Sequence, residues 1–480
     1  MSSEKHAASG PPCQVRAGFG LVLILSLLTT VYSQDETPNK SSGATAVSSV
    51  PCAAGEPAIR SIPEWLRLGV RKLQLFPDAK IAKHEVELLK ELAVSAESLD
   101  LSGRGIDNEF SEIFEFLDGP TEVRIRSMAI TDDALRHMGR LPLLESLYLS
   151  GTSVTGSGLA ALSDVATLER LDLSDCPLTD EGIQTLPALK RLSELSLRET
   201  SISDAGAVAL KTLWRLKRLD ISKTKITPRG LKHLSDLTNL QTLSCSVDGD
   251  AAVEAIQGCI NLEHLYGPSE LSDRGLKFLA AFKNLESVSL TGNMMTHTGI
   301  AELESLPRLS GLLFHRTMLS RELIQAIARL KSLQSLSLYD LDADENALAA
   351  LVELPALQFL RLSRVSISSR FLETIGKMKS LQVLGISPIE VTDGDLRNVS
   401  QLSNLVSLHI SADNLSDEGL KHIARLKNLE SLDISESRVT EDGLKLLLSL
   451  KRLSRLHVPF ALREPASRIL KKELPVLVVY

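Results

Sequence analysis

The chain has few aromatic side chains, few cysteines and no concentration of positive charge. Aromatic residues make up 4% of its 480 residues and hydrophobic residues 43%, so any core must be aliphatic. Its 53 basic and 60 acidic residues are spread along the whole length and give a net charge of −7. Because a basic patch or run is the usual signature of nucleic-acid binding, we expect no nucleic-acid partner.

The five cysteines are irregularly spaced, which excludes a disulfide-rich scaffold. Cys176 and Cys245 fall where small buried side chains are expected, and a bridge between Cys245 and Cys259 is the alternative. The sequence also contains no nucleophile motif, no phosphate-binding glycine loop and no Cys-x-x-Cys pair. We therefore expect neither an enzyme nor a cofactor.

The N-terminal segment has the pattern of a secretory signal. Lys5 and Arg16 precede an apolar run over residues 17–31, and Val31 and Ser33 stand at the −3 and −1 positions of a cleavage site before Gln34. The run is shorter than the roughly 20 residues that span a bilayer, but an uncleaved membrane anchor formed by residues 17–31 is the alternative. In either case we expect export, to the outside or to the cell envelope.

What the sequence has in abundance is a leucine pattern that returns every 24 residues. Leu144-x-x-Leu147-x-Leu149 is followed by Leu168-x-x-Leu171-x-Leu173, and the register continues to Leu453-x-x-Leu456-x-Val458. A fixed period of this length predicts a solenoid, in which each repeat stacks on its neighbours. The predicted organisation is a signal (residues 1–33), a disordered Ser/Thr/Pro-rich spacer (34–57), an N-terminal cap (58–95), repeats (96–458) and a C-terminal cap (459–480).

The repeat can be divided by counting its first leucine as position 0. Positions 3 and 5 are aliphatic and point to one side of a short strand, so stacked repeats form a parallel sheet. The small polar residue at position 8, such as Thr224, is expected to bond the loop backbone. Ser or Thr at position 11 and an acid at position 12 predict a helix start, followed by Gly-Leu-x-x-Leu. The fold class is therefore an α/β solenoid.

The residues Leu216-x-x-Leu219-x-Ile221-x-x-Thr224-x-Ile226-Thr227-x-x-Gly230-Leu231-x-x-Leu234 resemble the 24-residue, Thr-type repeats of bacterial secreted leucine-rich-repeat proteins. The resemblance implies a horseshoe with a parallel sheet on its concave face and helices on its convex face. It also implies a non-enzymatic scaffold that binds a protein partner through the concave face. A glycan-binding or adhesion module and an enzyme-regulating horseshoe are the alternatives.

One segment breaks the period. The spacing is 22 residues from Leu240 to Leu262 and 23 from Leu262 to Leu285, and Gly267-Pro268 interrupts a strand. We expect a local change in curvature there, caused by a tolerated deletion or, alternatively, by a functional hinge.

Positions 2, 4 and 6 point to the concave face, and many of them are Ser or Thr. The main exception is an apolar and aromatic group past the midpoint, for which we predict exposure and partner binding. This group, called the central cluster below, comprises His264, Tyr266, Leu313, His315, Tyr339, Phe359 and Arg361. Chance scatter of apolar residues is the alternative.

Two further sets interrupt the hydroxyl lining. The first is a charged ladder that includes Arg170, Glu194 and Arg218 on successive strands, interpreted as self-neutralising pairs rather than a docking patch. The second is a row of His409, Asp433 and His457. Such residues bind zinc, but the outer two would be about 9.6 Å apart, so a hydrogen-bonded row is favoured over a metal site.

Overall fold

The computed structural model describes residues 72–74, 96–101, 107–343, 345–365, 369–387 and 392–480. The predicted signal and spacer lie outside these residues, as does most of the predicted N-terminal cap. Within that cap, the expected strand is present as Lys72–Gln74, which pairs in parallel with Ser98–Asp100.

The described residues form parallel strands that pair in chain order. They are β1 (Lys72–Gln74), β2 (Ser98–Asp100), β3 (Glu122–Arg124), β4 (Ser146–Tyr148), β5 (Arg170–Asp172), β6 (Glu194–Ser196), β7 (Arg218–Ile221), β8 (Thr242–Cys245), β9 (His264–Tyr266), β10 (Ser287–Thr291), β11 (Gly311–His315), β12 (Met318–Leu319), β13 (Ser335–Ala343), β14 (Phe359–Val365), β15 (Val383–Ser387), β16 (Ser407–Ile410), β17 (Ser431–Asp433), β18 (Arg455–His457) and β19 (Val478–Val479). The short β12 pairs with the end of β13, and β11 pairs directly with β13.

Short helices connect the strands. They are α1 (Asn108–Ser111), α2 (Asp132–Met138), α3 (Asp204–Leu210), α4 (Pro228–Leu231), α5 (Asp250–Ala255), α6 (Asp273–Leu279), α7 (His297–Glu302), α8 (Arg321–Arg329), α9 (Glu345–Leu348), α10 (Ser369–Ile375), α11 (Leu396–Val399), α12 (Asp417–Ile423), α13 (Glu441–Leu444) and α14 (Arg463–Leu470). Short 3₁₀ helices span Glu112–Phe116, Leu159–Asp164, Gly182–Ala188, Lys232–Leu234, Leu303–Ser305, Ala349–Glu353, Asp393–Asp395, Lys445–Ser449 and Phe460–Leu462.

The leucine period becomes a continuous aliphatic core. Leu147 pairs with Leu171 across β4 and β5, and Leu171 pairs with Leu195 across β5 and β6. These three side chains are at most 3% exposed, and the same holds for the strand leucines of most repeats. The predicted fold class, an α/β leucine-rich-repeat solenoid with its sheet on the concave face, is confirmed.

The helix start joins each repeat to the next one. Ser203 and Thr227 accept hydrogen bonds from backbone N–H groups of their own helices, as the capping pattern predicts. The acid after the cap does more than favour the helix dipole. Asp204 accepts from the backbone N–H and from the hydroxyl of Thr227, both at 2.7 Å, in the following repeat. Asp180, Asp250, Asp273, Asp393 and Asp417 make the same pair of bonds to the next cap residue.

This carboxylate explains the glycine of the Gly-Leu motif. A Cβ atom built on Gly230 would collide with Oδ1 of Asp204. The equivalent glycines of other repeats, Gly206, Gly275, Gly299, Gly419 and Gly443, face the same obstacle from the preceding repeat. The motif therefore leaves room for a bond between repeats.

In many repeats, the residue at position 7, which follows the strand, has left-handed backbone geometry. This conformation costs an L-residue about 1–2 kcal/mol, and glycine adopts it freely. Glycine occupies the position twice, at Gly151 (φ +73°) and Gly292 (φ +102°), but most occupants are charged: Asp175, Glu199, Lys223, Arg316, Asp340 and Arg364. A row of charged side chains consequently follows the rim of the concave face.

The irregular segment keeps the strand register. Leu243 pairs with Leu265, which pairs with Val288, so the missing residues are removed from the connecting segments. Gly267 has φ +99°, and a Cβ atom there would collide with the carbonyl oxygen of Cys245. The glycine thus permits the shortened connection to pass close to the preceding strand.

The described cysteines are free and buried, and no bridge joins Cys245 to Cys259. The Cys259 thiol donates to the carbonyl of Leu234 at 3.2 Å instead. The interpretation of Cys176 and Cys245 as small buried side chains is confirmed, and the alternative disulfide is wrong. At the C-terminal end, α14 ends at Leu470, and β19 closes the sheet against β18.

Candidate functional site on the concave face

Strand pairing aligns the concave residues into rows that cross the sheet. One row runs Leu313, Ser337, Arg361, Gly385 and His409, from β11 through β16. The row beside it carries Gly311, Ser335 and Phe359, and the rim-side row carries His315, Tyr339 and Ser363. The sheet therefore brings five of the seven predicted cluster residues together on three neighbouring strands.

His264 and Tyr266 form a second group on β9. Their rings lie nearly parallel, with centroids 6.3 Å apart. Both contact the Ser287 hydroxyl on β10, at 2.7 Å from His264 Nδ1 and 3.4 Å from the Tyr266 hydroxyl. Burial lowers the pKa of His264 and raises the pKa of Tyr266, so both rings are neutral at neutral pH.

The central cluster is less exposed than predicted. Tyr339 and Phe359 are each only 3% exposed, whereas the other five residues are half-buried. Ser335 and Ser337 next to them are 8% and 3% exposed, although they also lie on the concave face. Side chains on adjacent strands are about 4.8 Å apart, so large rings lie against one another and over small neighbours. The prediction of exposure was wrong for Tyr339 and Phe359.

Charged groups from the rim extend the cluster. His315 Nε2 lies 3.1 Å from Oδ2 of Asp340, and the Arg364 Nε donates to Oδ1 of Asp340 at 2.5 Å. The His315 and Tyr339 rings also meet edge to face, with centroids 6.5 Å apart. Sequence reasoning missed Asp340 and Arg364, because position 7 was not recognised as a rim position. The charged residues recurring there every 24 residues were the available signal.

The charged ladder forms only some of the self-neutralising ion pairs that the sequence predicts. Arg218 pairs with Glu194 at 2.9 Å, but Arg170 bonds the Ser146 hydroxyl at 2.6 Å and lies 3.8 Å from Glu145 rather than pairing with Glu194. These groups are partly exposed, so each ion pair contributes about 0–1 kcal/mol. Nearby, Arg124 stacks on Tyr148 at 4.3 Å from the ring centroid, an aromatic contact that the sequence analysis overlooked.

The row of two histidines and an aspartate is only partly hydrogen-bonded. His409 Nδ1 lies 2.8 Å from Oδ2 of Asp433, whereas His457 stacks on Tyr480 at 4.4 Å between centroids. Burial opposes ionisation of Asp433, but bonds from His409 and Ser435 outweigh it and lower the Asp433 pKa to about 2. Among the described residues, no three His, Cys, Asp or Glu side chains are grouped to hold a metal ion.

Comparison with known proteins agrees with the repeat pattern. The leucine-rich-repeat family model matches residues 166–186. No curated protein matches the sequence. The chain is similar to an internalin from Listeria monocytogenes, with 22% identity over 68% of this chain and 88% of the other and a TM-score of 0.43.

Two further solved structures show comparable similarity. A leucine-rich-repeat protein of Leptospira interrogans has 21% identity over 88% of this chain and 98% of the other, with a TM-score of 0.46. TLR13, in a complex with ssRNA13, has 17% identity over 72% of this chain and 64% of the other, with a TM-score of 0.44. The buried leucines, the strand register and the family match together support a leucine-rich-repeat fold. Within the described part of the chain, no helix is long and apolar enough to cross a membrane.

Proposed function

We propose that the chain is an exported, non-enzymatic scaffold of the bacterial secreted leucine-rich-repeat type that binds a protein partner through its concave face. The observation that carries this proposal is the central cluster. Its five half-buried members place two histidines, a tyrosine, a leucine and an arginine on a face where many positions carry small hydroxyl residues. Aromatic residues and arginine are the residue types that dominate binding energy at protein interfaces.

The rigidity of the surface supports the proposal. The strands of the cluster are paired on both sides, and the buried ring of Tyr339 contacts His315 and Arg361. A preformed surface loses little conformational entropy on binding, so a larger part of the contact energy remains as binding free energy. In this proposal Tyr339 and Phe359 support the binding surface, and the partner contacts Tyr266, Leu313 and Arg361.

Export is the second part of the proposal and rests on the sequence of residues 1–33. The test is to express the full chain in a Gram-negative host and to sequence the N terminus of the mature protein. A mature chain that begins at Gln34 in the extracytoplasmic fraction supports cleaved export. A full-length chain in the membrane fraction supports the anchor at residues 17–31, and a chain retained in the cytoplasm contradicts export.

A glycan ligand is the second candidate, favoured by the parallel rings of His264 and Tyr266 beside the Ser287 hydroxyl. Flat rings next to hydroxyl groups suit a sugar, which presents an apolar face and a polar edge. A glycan array probed with the purified full chain separates the candidates. A glycan-array signal of the wild-type chain that is lost in the Tyr266→Ser variant supports a glycan ligand. No array signal from the wild-type chain supports a protein partner.

The protein-binding proposal is tested by site-specific photo-crosslinking. A photoreactive phenylalanine derivative replaces Leu313 in one variant and Val208 in another. Val208 is a matched apolar control because it is 49% exposed on α3, away from the concave face. We expect a protein from the native envelope to crosslink at position 313 only. That protein should then bind wild type but not a Tyr266→Ser, Leu313→Ser double variant. Equal crosslinking at both positions would contradict the proposal.

A further inference from the structure

Arg361 is a half-buried cation without a carboxylate partner. Its guanidinium Nη1 lies 3.4 Å from the Tyr339 hydroxyl, a neutral group, and no ion pair to Arg361 is found among the described residues. Two other arginines of this face have acidic partners, since Arg218 pairs with Glu194 and Arg124 with Glu122. A partly desolvated cation without a counter-charge is unfavourable, so this position needs a functional explanation.

The nearest acidic side chains described on this face, Asp340 and Asp433, already form hydrogen bonds or ion pairs with other residues. Asp340 on the rim is bonded by His315 and Arg364. Asp433 accepts from His409 and Ser435 and lies three strands away, roughly 14 Å at the strand spacing of about 4.8 Å. From β9 to β16, the residues in the three concave rows include one formal charge, that of Arg361. The charge of Arg361 is therefore not offset by another charge within these rows.

Gly385 creates the space that Arg361 occupies. It follows Arg361 in the same row, and a Cβ atom built on it would lie 3.2 Å from Nε and 3.4 Å from Cγ of Arg361. The arginine side chain therefore extends across Gly385 toward β16. Any larger residue at position 385 would force the guanidinium group to move. The backbone of Gly385 does not have a positive φ, so the close approach of the arginine is what distinguishes this glycine.

We propose that Arg361 binds the carboxylate of an Asp or Glu side chain on the protein partner, in a slot formed by Gly385 and the Tyr339 hydroxyl. A guanidinium group presents paired N–H donors that match a carboxylate, and the neutral surroundings leave this interaction without a competing acid. This inference rests on the proposed function and specifies which chemical group the partner inserts at the centre of the cluster.

Apolar residues on the preceding repeats indicate that the acid belongs to a protein. Leu313 lies two strands away in the same row, separated from Arg361 by the buried Ser337. On the rim, Met294 and Met318 are 61% and 63% exposed at equivalent positions of consecutive repeats. Flexible, exposed methionines adapt to apolar side chains of a bound polypeptide. We therefore assign the slot to an acidic residue next to aliphatic residues in a protein segment.

The test uses the full chain and a fluorescent peptide with blocked termini, Ser-Leu-Glu-Leu-Ser, together with its Gln analogue. Binding is followed by fluorescence anisotropy. We expect the Gln peptide to bind about tenfold more weakly than the Glu peptide, since a charge-assisted hydrogen bond is lost. The variants Arg361→Gln and Gly385→Val should reduce Glu-peptide binding to the level of the Gln peptide. Gly311→Ala is the matched control, a concave glycine in another row, and should bind like wild type.

A second readout locates the bound peptide. In ¹⁵N-arginine-labelled protein, the Nε–Hε signal that disappears in Arg361→Lys belongs to Arg361 and should shift on addition of the Glu peptide. Equal affinity of the Glu and Gln peptides, or no binding of either, overturns the inference. A larger shift with inorganic phosphate than with the Glu peptide overturns the carboxylate assignment. The proposed function fails separately, when crosslinking does not distinguish position 313 from position 208. Circular dichroism confirms that each variant is folded.

Discussion

The contact between Asp204 and Gly230 allows a quantitative test of how the repeats are joined. Asp204 begins one helix and accepts two hydrogen bonds from Thr227, which caps the helix of the next repeat. Gly230 lies so close that a Cβ atom would collide with the Asp204 carboxylate. The perturbation is a double-mutant cycle that combines Asp204→Ala with Gly230→Ala.

The structure sets the expected magnitudes. Asp204→Ala removes two hydrogen bonds to a partly solvated carboxylate, at about 1 kcal/mol each, so we expect a loss of about 2 kcal/mol. Gly230→Ala displaces the same carboxylate and loses the same hydrogen bonds. Alanine also stabilises the helix by about 1 kcal/mol relative to glycine, because its helix propensity is higher. Its remaining close contacts, 3.0 Å to Cγ2 of Ile226 and 3.1 Å to Cα of Asp204, cost part of that gain. We expect a net loss of about 1.5 kcal/mol for this variant.

The two effects should not add. With Asp204 already replaced, the bonds are lost only once, while the helix-propensity gain and the contacts with the Ile226 methyl and with the Cα of residue 204 remain, so the double variant should lose about 1.5 kcal/mol in total. The expected coupling is then about 2 kcal/mol. The assay is urea unfolding followed by circular dichroism, with hydrogen–deuterium exchange over residues 204–234 reporting the local stability that an array of repeats requires.

A matched control separates steric collision from a general effect of alanine. Gly394 also lies in a helical turn, but the nearest atom to its built Cβ is Thr392 Oγ1 at 3.6 Å. Gly394→Ala should therefore be neutral or stabilise the protein by up to about 1 kcal/mol. Additive losses in the cycle, or an equal loss at Gly394, would refute the argument that the carboxylate of the preceding repeat excludes a side chain at Gly230.

Four further predictions concern single positions. Gly151→Ala should lower the free energy of unfolding in urea by about 1 kcal/mol, because φ is +73°. No atom lies closer than 3.9 Å to the built Cβ, so the loss should come from the backbone conformation alone, and an unchanged free energy of unfolding would contradict this. The Asp433 pKa of about 2 lies below its unfolded value, so its stabilisation is present above about pH 4 and is lost as pH falls toward 2. Asp433→Asn should remove that part of the dependence of the melting temperature on acid pH. An unchanged dependence of the melting temperature on pH would contradict this prediction. Burial raises the pKa of Cys245 and Cys259 to about 12, so both should resist an aromatic disulfide reagent at pH 8 until the protein unfolds; labelling of either in the native state would show that it is accessible. Tyr339→Ala should destabilise the protein by about 3 kcal/mol in the same urea assay, and a loss below about 1 kcal/mol would contradict its burial.

The last of these predictions shows why the binding site could be located from sequence only in part. Period-two alternation correctly places Tyr339 and Phe359 on the concave side of the sheet. It gives no measure of exposure, because exposure depends on the size of the neighbours that strand pairing brings alongside. Ser335 and Ser337 provide the same lesson, since small hydroxyl residues on an open face become buried beside large rings.

The same limit applies to the residues that the sequence analysis missed. Asp340 and Arg364 lie seven residues after the leucines that begin their repeats, at a position that reads as loop. Their left-handed backbone and the pairing of adjacent repeats place them together with His315. The ion pair spans residues from different repeats, and it can be identified only when the register between strands is known.

The sequence alone determined the core, the repeat length and the direction in which each strand residue points, because those properties follow from a local period of aliphatic side chains. It also identified the helix caps, since capping involves residues within one turn. The tertiary structure decided which groups meet between repeats: the Asp204 carboxylate with Thr227 and Gly230, and Arg361 with Gly385 in place of an acid. Contacts of this kind depend on stacking at about 4.8 Å, which joins residues that are 24 positions apart.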